Sequence, residues 1–247
     1  MPQFLDRDGT RLAYEHSPGE APGIVFLGGF KSDMTGTKAV ALEDWARRQG
    51  RAFLRLDYSG HGQSGGTFEE GSIGRWRDDA LAVIANTMPE RNLLVGSSMG
   101  GWIALLIARD HPDRVGGLVT IAAAPDFTED GYWAAFSDAQ RVELFERGHI
   151  AVPSDYGEPY VITRHLIEEG RDQLVLRTPL PLPFPVRMLQ GTADADVPQD
   201  WAIQLLGHAE GPDLLLTLVK GADHRFSEPA QIDLIERSAA DVLSRMT

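Results

Sequence analysis

The chain has 247 residues, 43% hydrophobic and 24% charged, with 36 acidic against 23 basic side chains and a net charge of −13. This length and balance suit one large soluble domain, with or without an insertion, and the negative charge argues against nucleic acid and anionic membrane surfaces as main partners. With no cysteine in the sequence, disulfides, thiolate metal sites and a cysteine nucleophile are excluded.

Residues 1–8 contain no basic region followed by an apolar stretch, so no signal peptide is expected. No apolar run approaches bilayer-spanning length. The expected address is cytoplasmic. Asp8-Gly9, flanked by Phe4-Leu5 and residues 11–16, signals a hairpin. Ile24-Val25-Phe26-Leu27 is a continuous apolar run, as expected of a strand buried on both faces, and it stops at Gly28-Gly29-Phe30. Residues 37–49 read as a helix with Ala41, Leu42 and Trp45 on one side and Gly50 as terminator. Ala52-Phe53-Leu54-Arg55-Leu56 is the next strand and runs into a turn-rich stretch from Asp57 to Gly66. Ser72 caps a helix through Trp76, Ala80, Val83 and Ile84.

Leu93-Leu94-Val95 is an apolar strand that ends abruptly at Gly96. A helical pattern follows from Met99 through Trp102, Leu105, Leu106 and Ala108. At the junction, Gly96-Ser97-Ser98-Met99-Gly100 matches G-x-S-x-G, with Ser98 at the nucleophile position. A strand turning straight into a helix strains the central residue. Side chains two before and two after it would collide, so both positions take glycine. The strain exposes the hydroxyl, and the following helix aims its N-terminal N–H groups at the same spot. Residues 115–121 form another strand.

The strand–helix rhythm breaks at Pro125. Residues 126–185 hold helical pieces at 134–147 and 161–169, separated by prolines and glycines. They read as an inserted, mostly helical cap over a core made of residues 1–125 and 186–247. The rhythm returns with a strand at 186–190, a helix near 201–206, a strand at 214–219 and a last helix after Ser227. The expected fold is α/β: a mostly parallel central sheet covered by helices on both faces. In such sheets ligands bind beyond the carboxyl ends of the strands. Gly28-Gly29-Phe30, Asp57, Ser98, Pro125, Asp194 and His224 all follow strands and so converge on one edge.

A serine nucleophile needs a base, usually histidine, oriented by a carboxylate. Of His111, His149, His165, His208 and His224, only His224 lies in the loop between the last strand and the last helix. That position suits the order serine, acid, histidine. In Gln190-Gly191-Thr192-Ala193-Asp194-Ala195-Asp196, Asp194 is the favoured acid. Asp196, nearer the next helix, is its rival. Asp223 and Asp57 read as structural. For the oxyanion, the N–H of Met99 is one donor and that of Phe30 the other, and the paired glycines, Gly29 among them, allow close approach to substrate. Phe30, Met99, Tyr132, Trp133 and Phe136 are candidates for lining an apolar acyl pocket.

With these residues in place, the chain resembles an α/β-hydrolase over essentially its whole length. The segments starting at Gly28-Gly29-Phe30-Lys31, Arg55-Leu56-Asp57-Tyr58, Gly74-Arg75-Trp76 and Leu94-Val95-Gly96 are similar to the family of α/β-hydrolase domain-containing protein 10. Its members are acyl-protein thioesterases and acyl-glucuronide esterases. The resemblance implies Ser98, Asp194 and His224 as the triad, with no metal and no organic cofactor. Gln190 stands where hydrolases often have histidine, and it is placed outside the triad. The expected substrate is a small-molecule or acylated-protein ester or thioester, cleaved through an acyl-enzyme. Peptidase and C–C bond hydrolase chemistry use similar triads, and a hydrolase-fold receptor with little turnover is the alternative from another class.

Overall fold

Strand β1 (Gln3–Arg7) turns into β2 (Thr10–Ser17) through Asp8 and Gly9, which both take positive φ, 52° and 80°. That is the backbone a two-residue hairpin demands. The structure, a computed structural model, describes residues 2–154 and 157–246. Chain order continues with β3 (Glu20–Leu27), α1 (Thr37–Arg48), β4 (Arg51–Leu56), α2 (Ile73–Thr87), β5 (Asn92–Ser97), α3 (Met99–Asp110) and β6 (Val115–Ile121). The inserted segment holds α4 (Asp138–Arg147), β7 (His149–Val152), β8 (Tyr160–Thr163), α5 (Arg164–Gly170) and the short β9 (Leu180–Pro181). The chain closes with β10 (Val186–Gly191), α6 (Gln199–His208), β11 (Ala209–Glu210), β12 (Leu214–Val219) and α7 (Pro229–Arg245).

Eight strands form one sheet in the order β1-β2-β4-β3-β5-β6-β10-β12. Only the pairs β1–β2 and β2–β4 are antiparallel. From β4 to β12 every pairing is parallel, so the continuous apolar runs are buried from both sides. One face packs on α1 and α7 through Leu42, Trp45, Ile235, Ala239 and Val242. The other packs on α2, α3 and α6 through Trp76, Val83, Trp102, Leu106 and Leu205. Each buried aliphatic side chain contributes about 1.5–3 kcal/mol by leaving water. The glycines of β6 admit α7: a Cβ on Gly117 would stand 2.2 Å from Val242 Cγ1. Among the described residues no helix is long and apolar enough to cross a membrane.

Among the described residues, 126–185 contribute no strand to the main sheet. Asp126 pins the start of this segment to its return. Its buried carboxylate accepts from the N–H groups of Val175 at 2.8 Å and Leu176 at 3.0 Å, and from Arg177 Nη1 at 3.0 Å. Burial pushes its carboxyl above the ordinary aspartate value against these donors. The segment is less helical than expected. Residues 134–147 are not one helix: a π-helical turn over Phe127–Trp133 comes first, and α4 starts afresh at Ser137, whose side chain forms a capping box with Gln140. Residues 161–163 are strand, paired antiparallel with β7. The β-branched Val161, Ile162 and Thr163 suit that pairing, and Thr163 then caps α5 by accepting from Leu166 N–H at 3.1 Å.

Candidate active site

Ser98 sits between β5 and α3 with φ 54° and ψ −120°. For a residue with a Cβ this is sparsely populated backbone, costing on the order of 1–3 kcal/mol. The neighbours enforce it. Ser98 N–H donates to Ile121 O at 2.9 Å, and Ser98 O accepts from Gly101 N–H at 2.9 Å and Ala124 N–H at 3.1 Å. The flanking glycines are sterically required. A Cβ on Gly96 would lie 2.3 Å from Gly100 O, and one on Gly100 would lie 2.0 Å from Leu27 O.

Ser98 Oγ donates to His224 Nε2 at 3.1 Å, and His224 Nδ1–H donates to Asp194 Oδ2 at 2.8 Å. An ionised carboxylate only accepts, so it fixes the imidazole proton on Nδ1 and leaves Nε2 free to take the serine proton. Asp194 is itself held by other donors. Its Oδ1 accepts from the N–H groups of Asp196 at 3.0 Å and Val197 at 2.8 Å, and its Oδ2 accepts from Gln190 Nε2 at 2.9 Å. Gln190 therefore touches the acid directly, although the sequence places it outside this group. Asp196 does not open the next helix, since α6 starts at Gln199 after Pro198. It serves the turn with its backbone N–H. Asp223 accepts from Phe226 N–H at 3.2 Å, which is a structural bond within the loop.

The loop after β3 lies against the nucleophile. A Cβ on Gly29 would come within 3.3 Å of Ser98 Cβ. Among the described residues, the backbone N–H groups of Phe30 and Met99 donate to no other group. The loop is fixed on either side of Phe30. Gly28 O accepts from the Tyr58 hydroxyl at 3.3 Å, and Gly29 O accepts from Ser32 N–H at 3.2 Å. Lys31 N–H donates to His61 Nε2 at 3.2 Å, and Met34 N–H donates to Asp57 Oδ1 at 2.7 Å. Asp57 is thus a loop brace, and burial pushes its carboxyl up.

His61 is a brace that residue-by-residue reasoning missed. The signal available was its position in the turn-rich stretch after β4, on the edge where the other loops converge. Its Nδ1–H donates to Ser59 O at 3.1 Å, so the ring is neutral and Nε2 accepts. Burial among Tyr58, Phe68 and Trp76 pushes it down to about 4. Because the unfolded chain binds this proton at the ordinary value of 6.5, stability from His61 is fully present above that pH. It is lost as pH falls towards 4, by about 3 kcal/mol in all. Thermal melts of the wild type between pH 7 and pH 4.5 are expected to fall more steeply than those of His61→Gln. Parallel curves would show that the ring is not buried as a neutral group.

A cavity of about 710 Å³ opens at Ser98 and His224. Gly29, Phe30 and Tyr132 line it, as do Phe127, Tyr160 and Trp201, which the sequence did not single out. Trp133 and Phe136 lie outside its wall. The Trp133 ring packs edge-on to Phe145 and carries the guanidinium groups of Arg141 and Arg171 at 4.9 and 4.7 Å. Phe136 stacks on Tyr132 inside the core. The Met99 side chain is likewise buried in the core and does not line the cavity. Lys38 also reaches the cavity wall. Its ammonium donates to Arg225 O, and burial pushes it down to about 8 against the pull of Asp223 and Asp194.

Residues 22–155 match a family model described as serine aminopeptidase, S33. Mouse palmitoyl-protein thioesterase ABHD10, mitochondrial, is 36% identical over 247 residues, covering 99% of this chain and 83% of the relative. The solved structure of mouse α/β-hydrolase domain-containing protein 10 superposes with a TM-score of 0.92 at 35% identity, covering 99% and 98% of the two chains. A putative hydrolase from Agrobacterium vitis S4 superposes with a TM-score of 0.90 at 42% identity, covering 100% and 98%. The cytoplasmic address expected from residues 1–8 is corrected by the curated relatives, which are named as mitochondrial proteins.

Proposed function

The chain belongs to the α/β-hydrolase domain-containing protein 10 family and is an ester/thioester serine hydrolase, and from that premise we propose that Ser98, His224 and Asp194 carry the reaction. The observation behind this assignment is the single imidazole that bridges Ser98 Oγ at 3.1 Å and Asp194 Oδ2 at 2.8 Å. Ser98 Oγ attacks the acyl carbon while His224 Nε2 takes its proton. Asp194 holds the imidazolium that forms. The N–H groups of Phe30 and Met99 receive the tetrahedral oxyanion. His224 then returns the proton to the leaving thiol or alcohol and activates water against the acyl-enzyme.

Residues 126–185 act as a cap over a core of residues 1–125 and 186–247. Support comes from the cavity wall, to which Phe127, Tyr132 and Tyr160 of this segment contribute together with Ser98. The cavity's volume is that of a small-molecule pocket, and its aromatic wall suits the acyl chain of an acylated protein or small ester. The family relatives are named as palmitoyl-protein thioesterases, and a long-chain S-acyl group is the proposed substrate. The acid–base groups need no metal. Both Asp194 oxygens are already taken by N–H donors that an ion would have to displace.

Kinetics on a matched ester and thioester with the same acyl chain, with and without EDTA, test this. Turnover of both, indifferent to chelator, is expected because the two pass through the same oxyanion. Turnover of neither by protein that still reacts with a fluorophosphonate would point to a receptor or to a hydrolase of narrower substrate range.

A further inference from the structure

We propose that Gln190 is a positioning residue for the acid–base pair: its amide N–H holds the Asp194 carboxylate and limits the negative charge that this carboxylate presents to His224. The proposal rests on the assignment of Asp194 and His224 as acid and base. Gln190 is the penultimate residue of β10 and is fully buried. Its Nε2 lies 2.9 Å from Asp194 Oδ2, 2.9 Å from Val197 O and 3.3 Å from Gly191 O. All three neighbours are acceptors, so the amide nitrogen and not the oxygen must face them.

The other end of the amide is the second observation. Gln190 Oε1 is buried with no hydrogen-bond partner among the described residues. A buried carbonyl without a partner destabilises a fold, and an apolar side chain of similar size would remove that cost. What glutamine supplies here is therefore the N–H end. That end meets the carboxylate oxygen that also accepts from His224 Nδ1–H. The two other donors on Asp194 are backbone groups of Asp196 and Val197 on Oδ1. Gln190 is the side-chain donor on the oxygen that matters for the base. It stops the carboxylate from rotating, and the positive end of its dipole opposes over-stabilisation of the imidazolium.

The test is the pH dependence of kcat/KM for wild type, Gln190→Leu and Gln190→His, with Ser98→Ala alongside. The other charged groups around the pair are Asp196 on the same turn, Lys38 on α1, and Asp223 and Arg225 beside His224. They are the same in every variant. Gln190→Leu is expected to lower kcat/KM about tenfold to a hundredfold, the scale of a charge-assisted hydrogen bond. Its acid limb should move to higher pH by about half a unit or more, because more negative charge then holds the proton on the imidazole. Gln190→His, whose ring N–H has similar reach, should recover most of the rate and return the limb.

Wild-type rate and limb in Gln190→Leu would overturn the proposal. So would a loss with an unmoved limb and no recovery by histidine, which is what packing alone would give. If the leucine variant does not fold, Gln190→Met serves, since it has similar length and no hydrogen-bond donor to offer Asp194. Its acid limb should also shift upward, and a wild-type profile would be equally fatal. Turnover retained by Ser98→Ala would instead remove the triad assignment itself, so the two failures are distinguishable.

Discussion

Replacing Ser98 by alanine is expected to abolish ester and thioester turnover, by about 10⁴-fold or more, while the protein folds and melts nearly as the wild type does. The size follows from the way triad members act as a unit: without the nucleophile, base and acid have no covalent step to assist. Folding survives because alanine keeps the Cβ. The positive φ at this position is imposed by backbone bonds to Ile121, Gly101 and Ala124, none of which uses the hydroxyl. The one lost side-chain contact is the 3.1 Å bond to His224 Nε2 at the cavity, worth about 1 kcal/mol or less at a site open to water. Covalent labelling by a fluorophosphonate should vanish with the hydroxyl. Circular dichroism melts beside turnover assays separate loss of chemistry from loss of fold. A mass label found on Ser97 in the wild type would overturn the assignment, since Ser97 also borders the cavity.

The succession of strands along the chain and their mostly parallel sheet were legible because buried parallel strands write themselves as unbroken apolar runs, as Ile24-Val25-Phe26-Leu27 does. Gly96 was legible for a local reason, since a Cβ there would meet Gly100 O four positions on, whereas Gly100 is required by Leu27 O of the neighbouring strand β3. What depended on distant partners was not. Val161, Ile162 and Thr163 carry a pattern that suits a helix face or a short strand, and only pairing with β7 decides for the strand. Trp133 looked like a pocket aromatic. Its direction is set by Arg141 and Arg171, one of them 38 positions away by sequence number. Gln190 meets Asp194 across the turn that follows Gly191, a turn held against the distant loop after β12, where a Cβ on Gly191 would stand 2.2 Å from Ala222 O. His61 reads as one residue of a glycine-rich turn until the loop it braces is placed beside it.

Asp194→Asn is expected to cost about 10⁴-fold in kcat, the scale for losing the acid of such a triad, whereas Asp196→Asn should cost less than about tenfold, as for a nearby exposed charge. The difference follows from counting donors. Both oxygens of Asp194 accept from N–H groups: Oδ1 from Asp196 and Val197, Oδ2 from Gln190 and His224. An asparagine has one oxygen and one NH₂. If the NH₂ faces the turn, it opposes the two backbone N–H groups and loosens the loop that carries the acid. If it faces His224, it forces the imidazole proton onto Nε2, and Nε2 then cannot accept from Ser98. The first orientation weakens the hold on the base and the second removes it. Asp196 contributes to Asp194 through its backbone N–H, which asparagine retains. The measurement is kcat and KM for both variants with one thioester, together with the rate of fluorophosphonate labelling, which should fall in Asp194→Asn because the serine has lost its base. A larger loss in Asp196→Asn would show that the carboxylate two residues along the turn orients His224 in solution.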